Sequence, residues 1–225
     1  MILNELGIRN SSVFLSNCSV WIEGITDRLY LKHFLDLYLK KYPKKNKFRE
    51  NIDFTFIEYG GGNLVHFNFE KKNVTDSINA RYINNKIFLI ADNDGSKASS
   101  KKAQRKARLK EVLGDNFYEL SVLEIENLIS QNILKAVLIL QNPKKEALIE
   151  QKLTREKNFV NKKLGKYIDE LFNGELHQYA SDSGTIKNKL EFCKAVIALT
   201  KNYDDLSSEA KVLTEKIYNF ISSNN

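Results

Sequence analysis

The chain is poor in the residues from which many small sites are built: among 225 residues there are two cysteines, three histidines, two prolines and one tryptophan. Cys18 and Cys193 cannot make a disulfide framework, and with His33, His66 and His177 isolated in sequence no zinc cluster of the usual Cys/His spacing can form. A reduced, intracellular setting is expected. Pro43 and Pro143 are the only prolines, and no Gly/Ser linker or internal repeat is present, so nothing marks an internal hinge. No apolar stretch approaches the roughly 20 residues that span a bilayer. The start Met1-Ile2-Leu3-Asn4-Glu5-Leu6-Gly7 lacks the basic start and apolar core of a secretory signal, so a cytoplasmic protein without a membrane partner is expected. Also missing is any Gly-x-x-x-x-Gly-Lys-Ser/Thr loop, which excludes a phosphate-binding loop for ATP within the chain.

What is present supports a proper core. Hydrophobic residues make up 42% of the chain, enough for one large domain or a domain with an appendage. The net charge of +7 favours a polyanionic partner, although a composition rich in lysine and asparagine also follows genomic base bias. Residues 18–23 read as a strand, and Thr26 to Lys40 carries apolar side chains at helical spacing through Leu29, Tyr30, Phe34, Leu37 and Tyr38. Further strands are expected at Ile52 to Glu58, Lys86 to Ala91 and Phe117 to Ser121, with a basic helix from about Ala98 to Leu113. Strands alternating with helices imply an α/β fold with a parallel sheet of about four strands and right-handed crossovers. Beyond residue 131 only helices are expected, at roughly 132–141, 143–153, 160–173, 185–200 and 204–222. This divides the chain into a core over 1–130 and a helical extension over 131–225, packed on that core.

Two acidic clusters stand out, each closing an apolar run: Val20-Trp21-Ile22-Glu23-Gly24-Ile25-Thr26-Asp27 and Ile87-Phe88-Leu89-Ile90-Ala91-Asp92-Asn93-Asp94-Gly95. Such runs read as buried parallel strands that deliver their carboxylates to the carboxyl edge of the sheet, where open α/β sheets bind ligands. Any one of these acids alone is an ordinary cap or dipole partner. Glu23, Asp27, Asp92 and Asp94 gathered in one crevice repel one another unless a cation sits among them, so a divalent metal site is expected. Carboxylates without histidine or thiolate favour magnesium, manganese or calcium over zinc. A calcium-binding EF-hand is a poor alternative, because counting from Asp92 puts Lys97 and Ala103 where its loop needs glycine and glutamate.

Glu23-Gly24-x-x-Asp27, the turn Gly60-Gly61-Gly62 and Asp92-x-Asp94 together resemble the Toprim domain of topoisomerases, bacterial primases and OLD-family (overcoming lysogenization defect) nucleases. The OLD family, an ABC-type ATPase followed by a Toprim nuclease, is the nearest in pattern. The stretch Leu6-Gly7-Ile8-Arg9-Asn10-Ser11-Ser12-Val13-Phe14 looks like its ATPase junction, and Glu124-Ile125-Glu126-Asn127 resembles its acidic helix start. The resemblance covers about residues 6–130 and the remainder loosely.

What the resemblance implies is a Toprim-type, Rossmann-like core and an endonuclease that hydrolyses DNA with two Mg2+ or Mn2+ ions, in phage defence or DNA processing. Metals roughly 4 Å apart would activate water and stabilise the departing oxygen. By resemblance Glu23, Asp27, Asp92 and Asp94 hold the metals, joined by one of Glu124 and Glu126; residues two apart on a helix diverge by about 200°, which favours Glu126. Glu23 and Asp92, with Lys189 neutralising charge on the transition-state phosphate, are the catalytic candidates, and Lys187 is the alternative lysine. Lys101, Lys102, Arg105 and Arg108, after the Asp-x-Asp turn, are expected to track a nucleic-acid backbone. DNA and an ABC-type ATPase, preceding in a longer chain or supplied as a separate subunit, are the implied partners, and a homo-oligomer is among the arrangements allowed. Two other readings stand beside hydrolysis: a catalytically silent Toprim module binding nucleic acid or an ATPase, and topoisomerase or primase chemistry completed by a partner.

Overall fold

The computed structural model describes residues 16–70, 78–93, 99–153 and 159–225. Strand β1 (Cys18–Ile22) leads into helix α1 (Ile25–Lys41) and returns as β2 (Phe54–Glu58). A short 3-10 turn (Gly61–His66) precedes β3 (Phe67–Asn68), β4 (Ile78–Asn79) and the single-turn helix α2 (Ala80–Ile83). Strand β5 (Ile87–Ala91), helix α3 (Lys101–Leu113) and β6 (Phe117–Glu119) complete the sheet. Five helices follow: α4 (Gln131–Gln141), α5 (Glu146–Lys152), α6 (Leu164–Phe172), α7 (Lys189–Leu199) and α8 (Ser208–Ser223).

Four strands form one all-parallel sheet in the order β2-β1-β5-β6, and β3 pairs with β4 in a separate two-stranded sheet. Because successive side chains on a strand point to opposite faces, the sheet feeds two cores. Cys18, Val20 and Ile22 of β1, Phe54 and Phe56 of β2 and Phe88 and Ile90 of β5 pack with α1 and the C-terminal helices. Trp21, Ile57, Ile87, Leu89 and Phe117 face the other way, towards Phe67, Phe69, Ala80, Ile83 and Leu109. Trp21 meets Phe67 and Phe69 edge-on, with ring centroids 4.9 and 5.3 Å apart, and its indole N–H is satisfied by Ser19 Oγ at 3.0 Å.

The α/β class, the parallel sheet and the C-terminal helices agree with the sequence expectation. Two local expectations change. The basic helix begins at Lys101, where Ser100 Oγ caps the Ala103 N–H at 3.2 Å, and Ala98 lies outside the described residues. The helix start expected at Glu124-Ile125-Glu126-Asn127 is one 3-10 turn, Ile125–Leu128, with Glu124 in extended conformation before it. The β3-β4 pair has no counterpart in the sequence reading: two-residue strands are too short to show a period.

Candidate metal centre

β1 continues to β2 on one side, and the chain later returns to place β5 on its other side, so the carboxyl ends of β1 and β5 flank the point where the sheet order reverses. Glu23 follows β1 and Asp92 follows β5. Asp27 sits in the first turn of α1, where a carboxylate is favoured by the exposed N–H groups, and accepts from the Gly24 N–H at 3.1 Å. The end of β2 closes over this edge: Tyr59 N donates to Ile22 O at 2.9 Å and Gly60 N to Glu23 O at 2.8 Å. Gly60 and Gly61 adopt φ of +69° and +49°, and a Cβ on Gly61 would lie 3.3 Å from Glu23 Oε1, so the glycine turn is what lets the backbone pass beside that carboxylate. The result is a crevice of about 300 Å³ lined by Glu23, Tyr59, Gly61, Asp92, Glu124 and Lys163, among others.

The acids sense one another strongly. Burial, then Glu126 and Glu23, pushes Asp27 up to about 7. Burial, then Asp27, Glu23 and Glu126, pushes Asp92 up to about 8. Glu126 is also raised, by burial first, although Lys189 opposes the shift. Tyr59 donates its hydroxyl to Ile90 O at 3.0 Å and is held above its ordinary range by burial and then by Glu23 and Asp92. Four carboxylates from three parts of the chain therefore share one field.

The turn after β6 contributes both of its acids. Glu124 and Glu126 are buried at 5% and 0% exposure, and both face Lys189, whose Nζ lies 3.2 Å from Glu126 Oε2 and 3.9 Å from Glu124 Oε2. Both are buried, but of the two only Glu124 lines the crevice; the expectation favoured Glu126 on helical phasing, which does not apply because Glu124 precedes the turn in extended backbone. Burial pulls the Lys189 ammonium down, while Glu126 and Glu124 more than offset that and leave it raised. Lys187 donates its backbone N–H to Tyr179 O, before Lys189 opens α7. Glu124 has a second cation, Lys163 Nζ, 2.5 Å from Oε1. Asn127 fixes the turn: its Oδ1 accepts from Glu124 N at 3.2 Å, and its Nδ2 donates to Phe159 O at 2.7 Å and Lys162 O at 3.0 Å.

Of the four expected nucleic-acid contacts on α3, Lys102 and Arg105 line the crevice. Arg108 does not; it is turned to an ion pair with Glu70 and lines a separate groove, and Lys101 is exposed and outside the crevice lining. Helical phasing explains the split. Lys102, Arg105, Lys106 and Leu109 share one face at i, i+3, i+4 and i+7, whereas Lys101 and Arg108 lie on another. That phasing identifies Lys106, which sequence reading had not singled out and which donates to Asp92 O at 2.6 Å and Glu119 Oε1 at 2.9 Å. Lys163 carries no sequence signal.

Asp94 and the stretch 6–14 lie outside the described residues. His33 is bonded to Thr200 O and His177 to Asn142, and no histidine lines the crevice. Both thiols are buried and held up at about 12, Cys18 by burial and then Asp53, Cys193 by burial and then Glu126, so neither is poised as a nucleophile.

The donor set suits a hard divalent cation. Glu124 Oε2 and Glu126 Oε1 are buried with no hydrogen-bond partner among the described residues, and Asp27 and Asp92 repel both Glu126 and each other. Among the described residues no three acidic, histidine or cysteine side chains are grouped closely enough to hold an ion as they stand. Lys189 and Lys163 engage the two glutamates instead. Comparison with protein-family models, curated proteins and solved structures found no match to this chain.

Proposed function

We propose that this protein is a metal-dependent nuclease that hydrolyses phosphodiester bonds in DNA, working with an ABC-type ATPase in the manner of OLD-family systems. The observation that carries the reading is the convergence of Glu23, Asp27, Asp92 and Glu126, each perturbing another, beside Lys189 at the reversal point of a parallel sheet. Glu23, Asp27, Asp92, Glu124 and Glu126 are the residues that would hold Mg2+ or Mn2+, together with Asp94. Bound there, the ions would supply an activated water and charge stabilisation at the phosphate. Lys189, paired with Glu126, is the group that would neutralise charge developing on that phosphate, and Lys102 and Arg105 in the crevice lining would offer cations to the flanking backbone. Gly61 keeps the Glu23 side of the crevice free of side-chain bulk.

Cleavage of a plasmid and of a linear duplex with Mg2+ or Mn2+, comparing wild type with Asp92→Ala, tests the reading. Metal-dependent cleavage by wild type alone supports it; equal rates from both proteins mean contamination and reject it. A second reading, a silent module that binds nucleic acid or an ATPase, is favoured by the lysines on Glu124 and Glu126. It requires salt-dependent DNA binding without turnover and without measurable Mn2+ binding.

A further inference from the structure

Two lysines face the buried glutamates, and of these Lys163 is the one that lines the crevice, together with Glu124. The Glu124 side chain is 7% exposed and that of Lys163 39%, so a buried carboxylate is covered by a cation whose side chain is partly open to solvent. The backbone beneath that lysine is fixed. Leu123 N donates to Val160 O at 3.1 Å, Asn127 holds Phe159 O and Lys162 O, and Lys163 O accepts from Tyr167 N at 2.9 Å as α6 begins. A Cβ on Gly165 would meet Thr185 O at 2.5 Å and Ala180 Cα at 2.8 Å, so α6 lies directly on the segment that runs on to Lys189. The anchored backbone and partly exposed side chain leave the four-carbon stem as the part that can move.

We propose that Lys163 is an exchangeable counter-charge of the acidic centre: it neutralises Glu124 while no divalent ion is bound and contacts a backbone phosphate of the nucleic acid once a metal ion engages Glu124. This rests on the nuclease reading and adds a substrate contact to it. A cation arriving at Glu124 repels the ammonium, and the nearest anion then entering the crevice is the phosphate of the strand to be cut. The same residue thereby opposes metal binding in the free protein and favours it in the substrate complex.

The test uses the full chain with Lys163→Met, Lys163→Arg and, as a control of equal charge change, Lys166→Met, a lysine whose side chain is 66% exposed and paired with Glu170 outside the crevice. Mn2+ binding is measured by calorimetry without DNA, and binding of a labelled oligonucleotide is measured across salt concentrations with Ca2+. Lys163→Met is expected to bind Mn2+ about three- to fivefold more tightly, since a partly exposed counter-charge is removed. Its DNA affinity should fall and its salt slope decrease by about 1, one phosphate contact. Lys163→Arg should keep the wild-type slope, and Lys166→Met should match wild type in both measurements. An unchanged Mn2+ affinity or an unchanged slope in Lys163→Met overturns the proposal while leaving metal-dependent cleavage by wild type intact. Wild type that neither binds Mn2+ nor cleaves DNA rejects the nuclease reading and this proposal together.

Discussion

Lys189 Nζ stands 3.2 Å from Glu126 Oε2, joining the first residue of α7 to the turn after β6 across 63 positions of chain. Glu126 is fully buried and its other oxygen has no hydrogen-bond partner among the described residues, so this lysine is the main compensation for a charge that water cannot reach. Lys189→Met should therefore destabilise the metal-free protein by about 2 kcal/mol, below the range for a wholly buried pair because the lysine remains partly exposed. Adding Glu126→Gln should restore most of that loss. Urea unfolding of the two single variants and the double variant gives the coupling directly.

Asp92→Asn removes one of the mutually repelling acids while keeping shape. In the absence of metal it should raise the thermal midpoint, and with Mg2+ it should lower cleavage by at least about a hundredfold, the scale of losing one electrostatic group at a reacting phosphate. A thermal melt and a plasmid-nicking assay on the same preparation check both halves.

The raised carboxyls also fix the sign of a pH effect. Asp27 at about 7 and Asp92 at about 8 in the fold stand above their ordinary 3.8, so between about pH 4 and pH 8 the folded chain holds more protons than the unfolded chain. Stability of the metal-free protein should fall as pH rises through that window, lowering the midpoint by roughly 5 °C, and level off above it. Mg2+ should reverse the trend, because the ion takes the place of the protons it displaces. Melts from pH 5 to pH 8.5, with and without Mg2+, decide it.

Gly165→Ala tests the positioning of both lysines. The added methyl would lie 2.5 Å from Thr185 O and 2.8 Å from Ala180 Cα, all backbone atoms that cannot swing aside. Destabilisation of about 3 kcal/mol or more is expected. Chemical denaturation measures it.

Much of this arrangement was legible in the sequence because it rests on local signals. The apolar runs of β1 and β5 and the carboxylates closing them give the sheet edge, and Gly60 and Gly61 give the turn that admits Glu23. Other parts were not legible, for physical reasons. The side on which Glu124 points depends on extended backbone where a helix was expected, and that is settled by Asn127 bonding to carbonyls more than thirty positions away. Arg108 went to Glu70 because the basic run winds around its helix, which counting charges does not reveal. Lys163 reaches the crevice only through the packing of α6, which lies far from any motif.

One apolar core is shared by the strands and the later helices: Phe88 of β5 meets Phe220 of α8 with ring centroids 5.3 Å apart, and Val20, Leu134, Ile168 and Leu213 belong to the same buried cluster. The change from alternating strands and helices to helices alone near residue 130 is thus no seam at which to cut. A shortened chain ending there would lose the amine facing Glu126 and would lay bare the aromatic and aliphatic underside of its sheet, inviting aggregation in place of a smaller folded unit.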